Sequence, residues 1–146
     1  MAVNGTGPYD PQNVFARILR GELPCRKVYE DEYALAFHDI APKAPVHVLV
    51  IPKGPFVSFA DFSSNGTEAE ITGFTRAVGK VARDLKLEAP GYRLLSNVGV
   101  EAGQEVPHFH VHLFGGKALG RHAAGLNGQK VLDAAFFKKA AFFEAF

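Results

Sequence analysis

The sequence predicts an α+β domain with a largely antiparallel sheet and helices packed on one face of it. Three observations carry that reading. Short runs rich in β-formers follow one another without the regular βαβ alternation of a parallel sheet. One long stretch, Ser63 to Leu87, lines up Ile71, Phe74, Val78, Val81, Ala82 and Leu85 along a single helical stripe. Residues 108–114 alternate histidine with apolar side chains at the period of an extended strand. With 146 residues, the chain is long enough for one substantial core and short for two.

The elements follow in order. Residues 1–9 are polar and Gly-rich and read as a flexible leader. Asp10 is an N-cap candidate, Pro11 suits a first helical turn, and Val14, Phe15, Ile18 and Leu19 recur at helical spacing up to a stop at Gly21. Arg26 to Tyr29 and Tyr33 to His38 flank the acidic turn Glu30-Asp31-Glu32, which predicts a hairpin. Asp39 to Pro45 is a loop, and His47-Val48-Leu49-Val50-Ile51 is a buried strand ended by Pro52-Lys53-Gly54-Pro55. Residues 56–62 read as an irregular loop before the long helix, whose wet face carries Glu68, Glu70, Arg76, Lys80, Arg83 and Lys86. Tyr92 to Asn97 and His108 to Phe114 are two strands flanking a Gly-containing loop. Residues 10–120 therefore form one domain. Residues 121–146 are a C-terminal extension, Ala- and Gly-rich to Gly128 and then phenylalanine-rich, with a helix as the reading of Gln129 to Phe146.

Bulk properties narrow the partners. A composition 47% hydrophobic and 21% charged is that of an ordinary globular protein. A net charge of +1 supplies no basic field, so a nucleic-acid partner is not expected. Cys25 is the single cysteine, which excludes an internal disulfide framework and fits a reducing compartment. Met1 to Asp10 has no charged start followed by an apolar run, and no stretch approaches the roughly 18 apolar residues of a membrane helix. A cytoplasmic protein without membrane contact is the expectation.

His108, His110 and His112 are the chemical side of their segment, and Phe109, Val111 and Leu113 its core side. In a strand rising about 3.3 Å per residue, the outer two histidines stand about 13 Å apart along the backbone. Three rings so spaced hardly converge on one ion about 2 Å from each nitrogen, although two could with a third ligand from elsewhere, so no metal is expected. No cofactor is called for where imidazoles and backbone amides supply the positive potential. A row of imidazoles suits a row of phosphate oxygens better, because neutral histidine is a nucleophile and its neighbours donate N–H. The preceding loop, Asn97 to Pro107, points the same way. Gly99 and Gly103 permit backbone conformations that bring amides to an anion, and Asn97 and Gln104 carry amide side chains.

With these residues in view, the chain resembles the histidine triad (HIT) superfamily, whose motif is His-φ-His-φ-His-φ-φ with φ apolar. Residues 108–114 match it throughout. Val14 to Ile18, Phe37 to Ile40, Ala44 to Lys53, Gly91-Tyr92-Arg93, Asn97 and Gly103-Gln104 are similar to the HINT branch of purine nucleoside phosphoramidases, of bacterial type, as is Gly115-Gly116. The resemblance implies that His110 attacks the phosphorus of a purine nucleoside monophosphate joined to an amine, ester or acyl group, giving a nucleotidyl-histidine that water hydrolyses. It implies that His108 and His112 orient His110 and contact phosphate, and that His47 is a fourth site histidine. Asp39 would accept from ribose hydroxyls, although a turn residue is an equal reading of it. Phe15, Ile18, Phe37, Ile40 and Leu49 would enclose the base, a task that shares its residue types with a core. Asn97, Gln104, Glu105 and Val106 would meet the phosphate and leaving group.

A homodimer, joined through the long helix and a sheet edge, is also implied. The alternatives are a nucleotidyltransferase, a dinucleoside polyphosphate hydrolase, or a nucleotide-binding scaffold with incidental hydrolysis. Two departures stand out: Glu105 replaces a serine of the animal HINT proteins, and the extension beyond Gly120 has no counterpart in the family pattern. Because His110 must be neutral to attack, activity is expected to fall below about pH 6–6.5, the ordinary histidine range.

Overall fold

The computed structural model describes residues 2–121, in the order α1 (Val14–Leu19), β1 (Lys27–Glu30), β2 (Ala34–His38), β3 (Val46–Pro52), α2 (Phe59–Asn65), α3 (Glu68–Asp84), β4 (Arg93–Leu95) and β5 (Val111–Gly115). The strands form one antiparallel sheet in the order β1-β2-β3-β5-β4. Together they make a single α+β domain. No helix among the described residues is long and apolar enough to cross a membrane.

The hairpin is built by its acidic turn. Asp31 Oδ1 accepts from the backbone N–H of Tyr33 at 2.7 Å and of Ala34 at 2.9 Å, which bends the chain between β1 and β2. Each central strand then divides its side chains between two cores. Ala34 and Ala36 of β2, Val48 and Val50 of β3, and Leu113 of β5 pack under Phe74, Ala77, Val78, Val81 and Ala82 of α3. Leu35, Phe37, Leu49 and Ile51 face the other way, against Phe15 of α1. The helices therefore lie on both faces, not on one as expected, because the apolar side of α1 meets the second cluster.

Several boundaries move for identifiable reasons. Asn13, not Asp10, caps α1, with Oδ1 accepting from Ala16 N–H at 2.9 Å. The irregular loop expected over 56–62 gives way at Phe59 to α2, which runs on to Asn65 and is capped by the buried Ser58, whose Oγ accepts from Ala60 N–H. The long helix starts at Glu68 instead of Ser63, because Thr67 and Glu70 form a capping box just after Gly66. Its expected stripe survives, with Phe74, Val78, Val81 and Ala82 buried.

The strand expected from His108 begins only at Val111. The Phe109 N–H donates to Phe56 O at 2.7 Å, so residues 108–110 dock on the segment before α2 rather than in the sheet ladder. Side-chain alternation persists all the same. Phe109 joins the α3 core, while His108 and His110 lie beside Phe15 on the other face.

The leader reading also fails for residues 2–9, which pack on the domain. Val3 is 8% exposed, and Ser58 Oγ–H donates to Gly5 O at 2.6 Å. At the other end, the Arg93 guanidinium donates to Leu119 O and Gly120 O. The helix expected over Gln129 to Phe146 lies outside the described residues.

Candidate active site

Strand register gathers the histidines. Leu49 of β3 stands opposite His112 of β5, and His47 opposite Phe114, so all four side chains share the face away from α3. His47 Nε2 and His112 Nδ1 are 2.9 Å apart. His112 and His110 follow with ring centroids 5.1 Å apart, and Phe15 meets His110 edge-on at 5.0 Å. Phe114 completes the floor, 4.2 Å from the His47 ring and stacked on His112 at 5.7 Å. The period-two pattern, carried one step past His112, reaches Phe114, a site residue that the histidine motif alone does not single out.

Hydrogen-bond partners assign the tautomers of all four rings. The Lys43 N–H donates to His47 Nδ1 at 3.1 Å, which leaves the proton of a neutral His47 on Nε2, donated to His112 Nδ1. The proton of His112 then sits on its Nε2. His110 Nδ1–H donates to His108 O at 2.7 Å, and the lone pair of His110 is therefore on Nε2. His108 Nε2–H donates to Pro52 O at 3.0 Å, and its Nδ1 accepts from the Tyr9 hydroxyl at 2.6 Å. The result is one imidazole with an unprotonated Nε2 beside another with a protonated Nε2.

Burial keeps the array neutral. It pushes His108 and His112 down to about 4, aided by His110 for the former and by His110 and His47 for the latter. Burial also holds His110 and His47 below the ordinary histidine value, against the upward pull of Asp39 on both and of Glu105 on His110. At neutral pH the site thus presents N–H dipoles rather than cationic rings.

The remaining residues fall into three groups. Phe15, Phe37 and Leu49 are buried and Ile18 and Val106 half-buried in one apolar cluster beside the histidines, whereas Ile40 is fully exposed and encloses nothing among the described residues. Asp39 does two things: Oδ1 accepts from Ala41 N–H at 2.7 Å as a turn residue, and Oδ2 lies 3.4 Å from His47 Nε2. Asn97 is half-buried and Glu105 exposed, with Gln104 buried between them.

Gln104 departs from the expected phosphate contact. Its Nε2 donates to Val57 O and Val106 O at 2.7 and 3.0 Å, and its Oε1 accepts from Gly99 N–H at 2.9 Å. Both amide hydrogens are thereby used inside the protein. The glycines do not offer the expected anion cradle either. Gly99 adopts φ 77° and Gly103 φ 70°, but their N–H groups go to Gln104 Oε1 and Val100 O. The loop is a clamp around Gln104. Ser96, unnoticed in the sequence, donates from Oγ–H to His110 O at 2.8 Å and fixes the backbone of the central histidine.

Asp39, His47 and His112 offer ligand atoms within 4.8 Å of one another. The two imidazole nitrogens in that group already bond each other through a single proton, so a cation there would have to break the chain that orients His112.

A five-stranded antiparallel sheet with His-φ-His-φ-His running into the start of one strand, and a fourth histidine on the strand beside it, defines the histidine triad class. The HIT domain family profile matches residues 20–119, and the chain belongs to that family. An uncharacterized 13.2 kDa HIT-like protein of Azospirillum brasilense is 65% identical over 112 residues, covering 77% of this chain and 92% of its own. The purine nucleoside phosphoramidase of Escherichia coli is 38% identical over 109 residues, covering 75% of this chain and 91% of its own. Among solved structures, a HIT family hydrolase from Clostridium thermocellum aligns with a TM-score of 0.67 at 42% identity, covering 76% of this chain and 96% of its own.

Proposed function

We propose that this protein is a nucleotide-binding hydrolase that releases a purine nucleoside monophosphate from an amine or other leaving group through a nucleotidyl-His110 intermediate. The observation that carries the reading is the His110 tautomer: Nδ1–H is held by His108 O at 2.7 Å, so Nε2 is a neutral nucleophile in a buried ring. His110 Nε2 attacks phosphorus, the P–N or P–O bond breaks, and the leaving group departs with a proton taken from solvent, which the water of the second step gives back. Water then adds to phosphorus, the P–Nε2 bond breaks, and the nucleoside monophosphate leaves with His110 neutral again.

His112 Nε2–H donates to a phosphate oxygen as charge gathers there, aligned by the chain from Lys43 N–H through His47. Asp39 Oδ2 faces the ribose. Phe15, Ile18, Phe37 and Leu49 wall the base, with Ile40 free to close over it. Asn97, Glu105 and Val106 border the leaving group, and Gln104 acts by holding their loop. No metal or other cofactor enters these steps. A homodimer, which the family resemblance implies, and a cytoplasmic setting, expected from the sequence, belong to the same reading. The name of the Escherichia coli relative supports the choice of purine phosphoramidates as substrates.

Incubation with an adenosine phosphoramidate tests the proposal by release of AMP. Denaturation at alkaline pH during turnover should trap labelled nucleotide on His110, and His110→Asn should abolish both while still binding AMP. Transfer of the trapped nucleotide to a phosphate acceptor faster than to water would make the protein a nucleotidyltransferase. AMP binding without turnover would make it a scaffold.

A further inference from the structure

The histidine that makes no step in this mechanism is the most tightly held. His108 is completely buried, and both of its ring nitrogens are bonded, to Pro52 O and to the Tyr9 hydroxyl. Since Pro52 offers only a carbonyl, His108 Nε2 carries the proton and Nδ1 accepts, which makes Tyr9 the donor in the 2.6 Å contact. Burial raises the Tyr9 phenol, so it retains its proton at neutral pH. The Tyr9 and His108 rings also meet edge to face at 5.6 Å, with Phe15 at 6.3 Å from the same imidazole.

Tyr9 is delivered by a segment with its own anchors. Val3 is buried, and Gly5 O accepts from Ser58 Oγ–H at 2.6 Å. Ser58 is itself completely buried and caps α2. Gly5 lies so close to the loop after β4 that a Cβ on it would stand 2.8 Å from Val98 Cγ1. Residues 2–9 thus span the cap of α2, the clamp loop and His108. The consequence for chemistry runs through one atom: the carbonyl oxygen of His108 is the acceptor that assigns the tautomer of His110.

We propose that Tyr9 is a positioning residue for the histidine array, and that residues 2–9 are a fixed strap that holds it in place. The hydroxyl pins the His108 ring between the strap and Pro52, and so keeps the His108 carbonyl where His110 Nδ1–H needs it. This rests on the role proposed above for His110, but not on its substrate.

Tyr9→Phe keeps the ring and removes only the hydroxyl, leaving His108 Nδ1 without its donor. Two readouts are taken on the full chain. In nitrogen-15 spectra of the imidazoles, the variant should shift both His108 Nδ1 and the hydrogen-bonded Nδ1–H of His110. With an adenosine phosphoramidate, kcat should fall about tenfold while KM stays within about twofold, because orientation rather than binding is lost. A variant with wild-type kcat and a lowered Tm would reduce Tyr9 to a structural contact and overturn the proposal. Should the wild-type protein turn over no phosphoramidate, the functional reading fails, and the spectra still decide this one: an unmoved His110 Nδ1–H in Tyr9→Phe overturns it.

Discussion

His108 should make the fold acid-sensitive by an amount that one substitution isolates. Its neutral ring is favoured in the folded state, where burial brings it to about 4, whereas in the unfolded chain it titrates near the ordinary value of 6.5. Between those two values the unfolded chain binds a proton that the folded protein refuses. The stabilisation is therefore complete above about pH 6.5 and is lost progressively as pH falls towards 4. A difference of that size corresponds to about 3 kcal/mol at full loss, a large share of the about 5–15 kcal/mol that holds a domain of this kind together.

Glutamine at this position can still donate to Pro52 O and accept from Tyr9, but it does not titrate. Urea unfolding of the wild type and of His108→Gln, at neutral pH and at about pH 4, gives four free energies. The wild type should lose about 3 kcal/mol more than the variant between the two conditions. The other histidines are present in both proteins, so their contributions largely cancel. Equal losses in the two proteins would refute the reasoning, since they would mean that His108 is not kept neutral by the fold.

Three further outcomes follow from the same geometry. Burial holds His110 below the usual histidine range, so the acid limb of activity should lie below the pH 6–6.5 expected from the sequence; a profile of kcat/KM with its midpoint at about 6.5 would contradict this. His47→Ala removes the donor that orients His112 and should lower kcat about 100-fold with AMP affinity nearly kept, measured by steady-state kinetics and titration calorimetry. Gln104→Ala orphans Gly99 N–H, Val57 O and Val106 O and should destabilise the fold by about 2–4 kcal/mol in urea unfolding; unchanged stability with a raised KM would return Gln104 to the phosphate-contact role.

What was legible in the sequence was local or periodic. The histidine row, its alternation with Phe109, Val111 and Leu113, and the α3 stripe all follow from the geometry of one segment, so a single sequence exposes them. The hairpin was legible for the same reason, because Asp31 folds back onto the N–H groups of residues two and three positions on. Motif resemblance then extended the reading to His47 and Asp39, which no spacing rule connects to the triad. Boundaries moved where a capping side chain outweighed periodicity, at Asn13, Ser58 and Thr67.

The sequence by itself therefore determined the α+β class, the chemical face of residues 108–112 and the membership in one family. Tertiary structure alone decided which proton sits on which nitrogen. His112 and His108 have their protons set by distant partners, His47 65 positions away and Pro52 56 away, whereas Lys43 and His108, four and two positions off, set those of His47 and His110 through the backbone shape the fold imposes. A hydrogen bond in a buried site depends on distance and direction in space, and nothing in the spacing of Tyr9 or Ser96 along the chain announces the ring or carbonyl that each meets once the sheet closes.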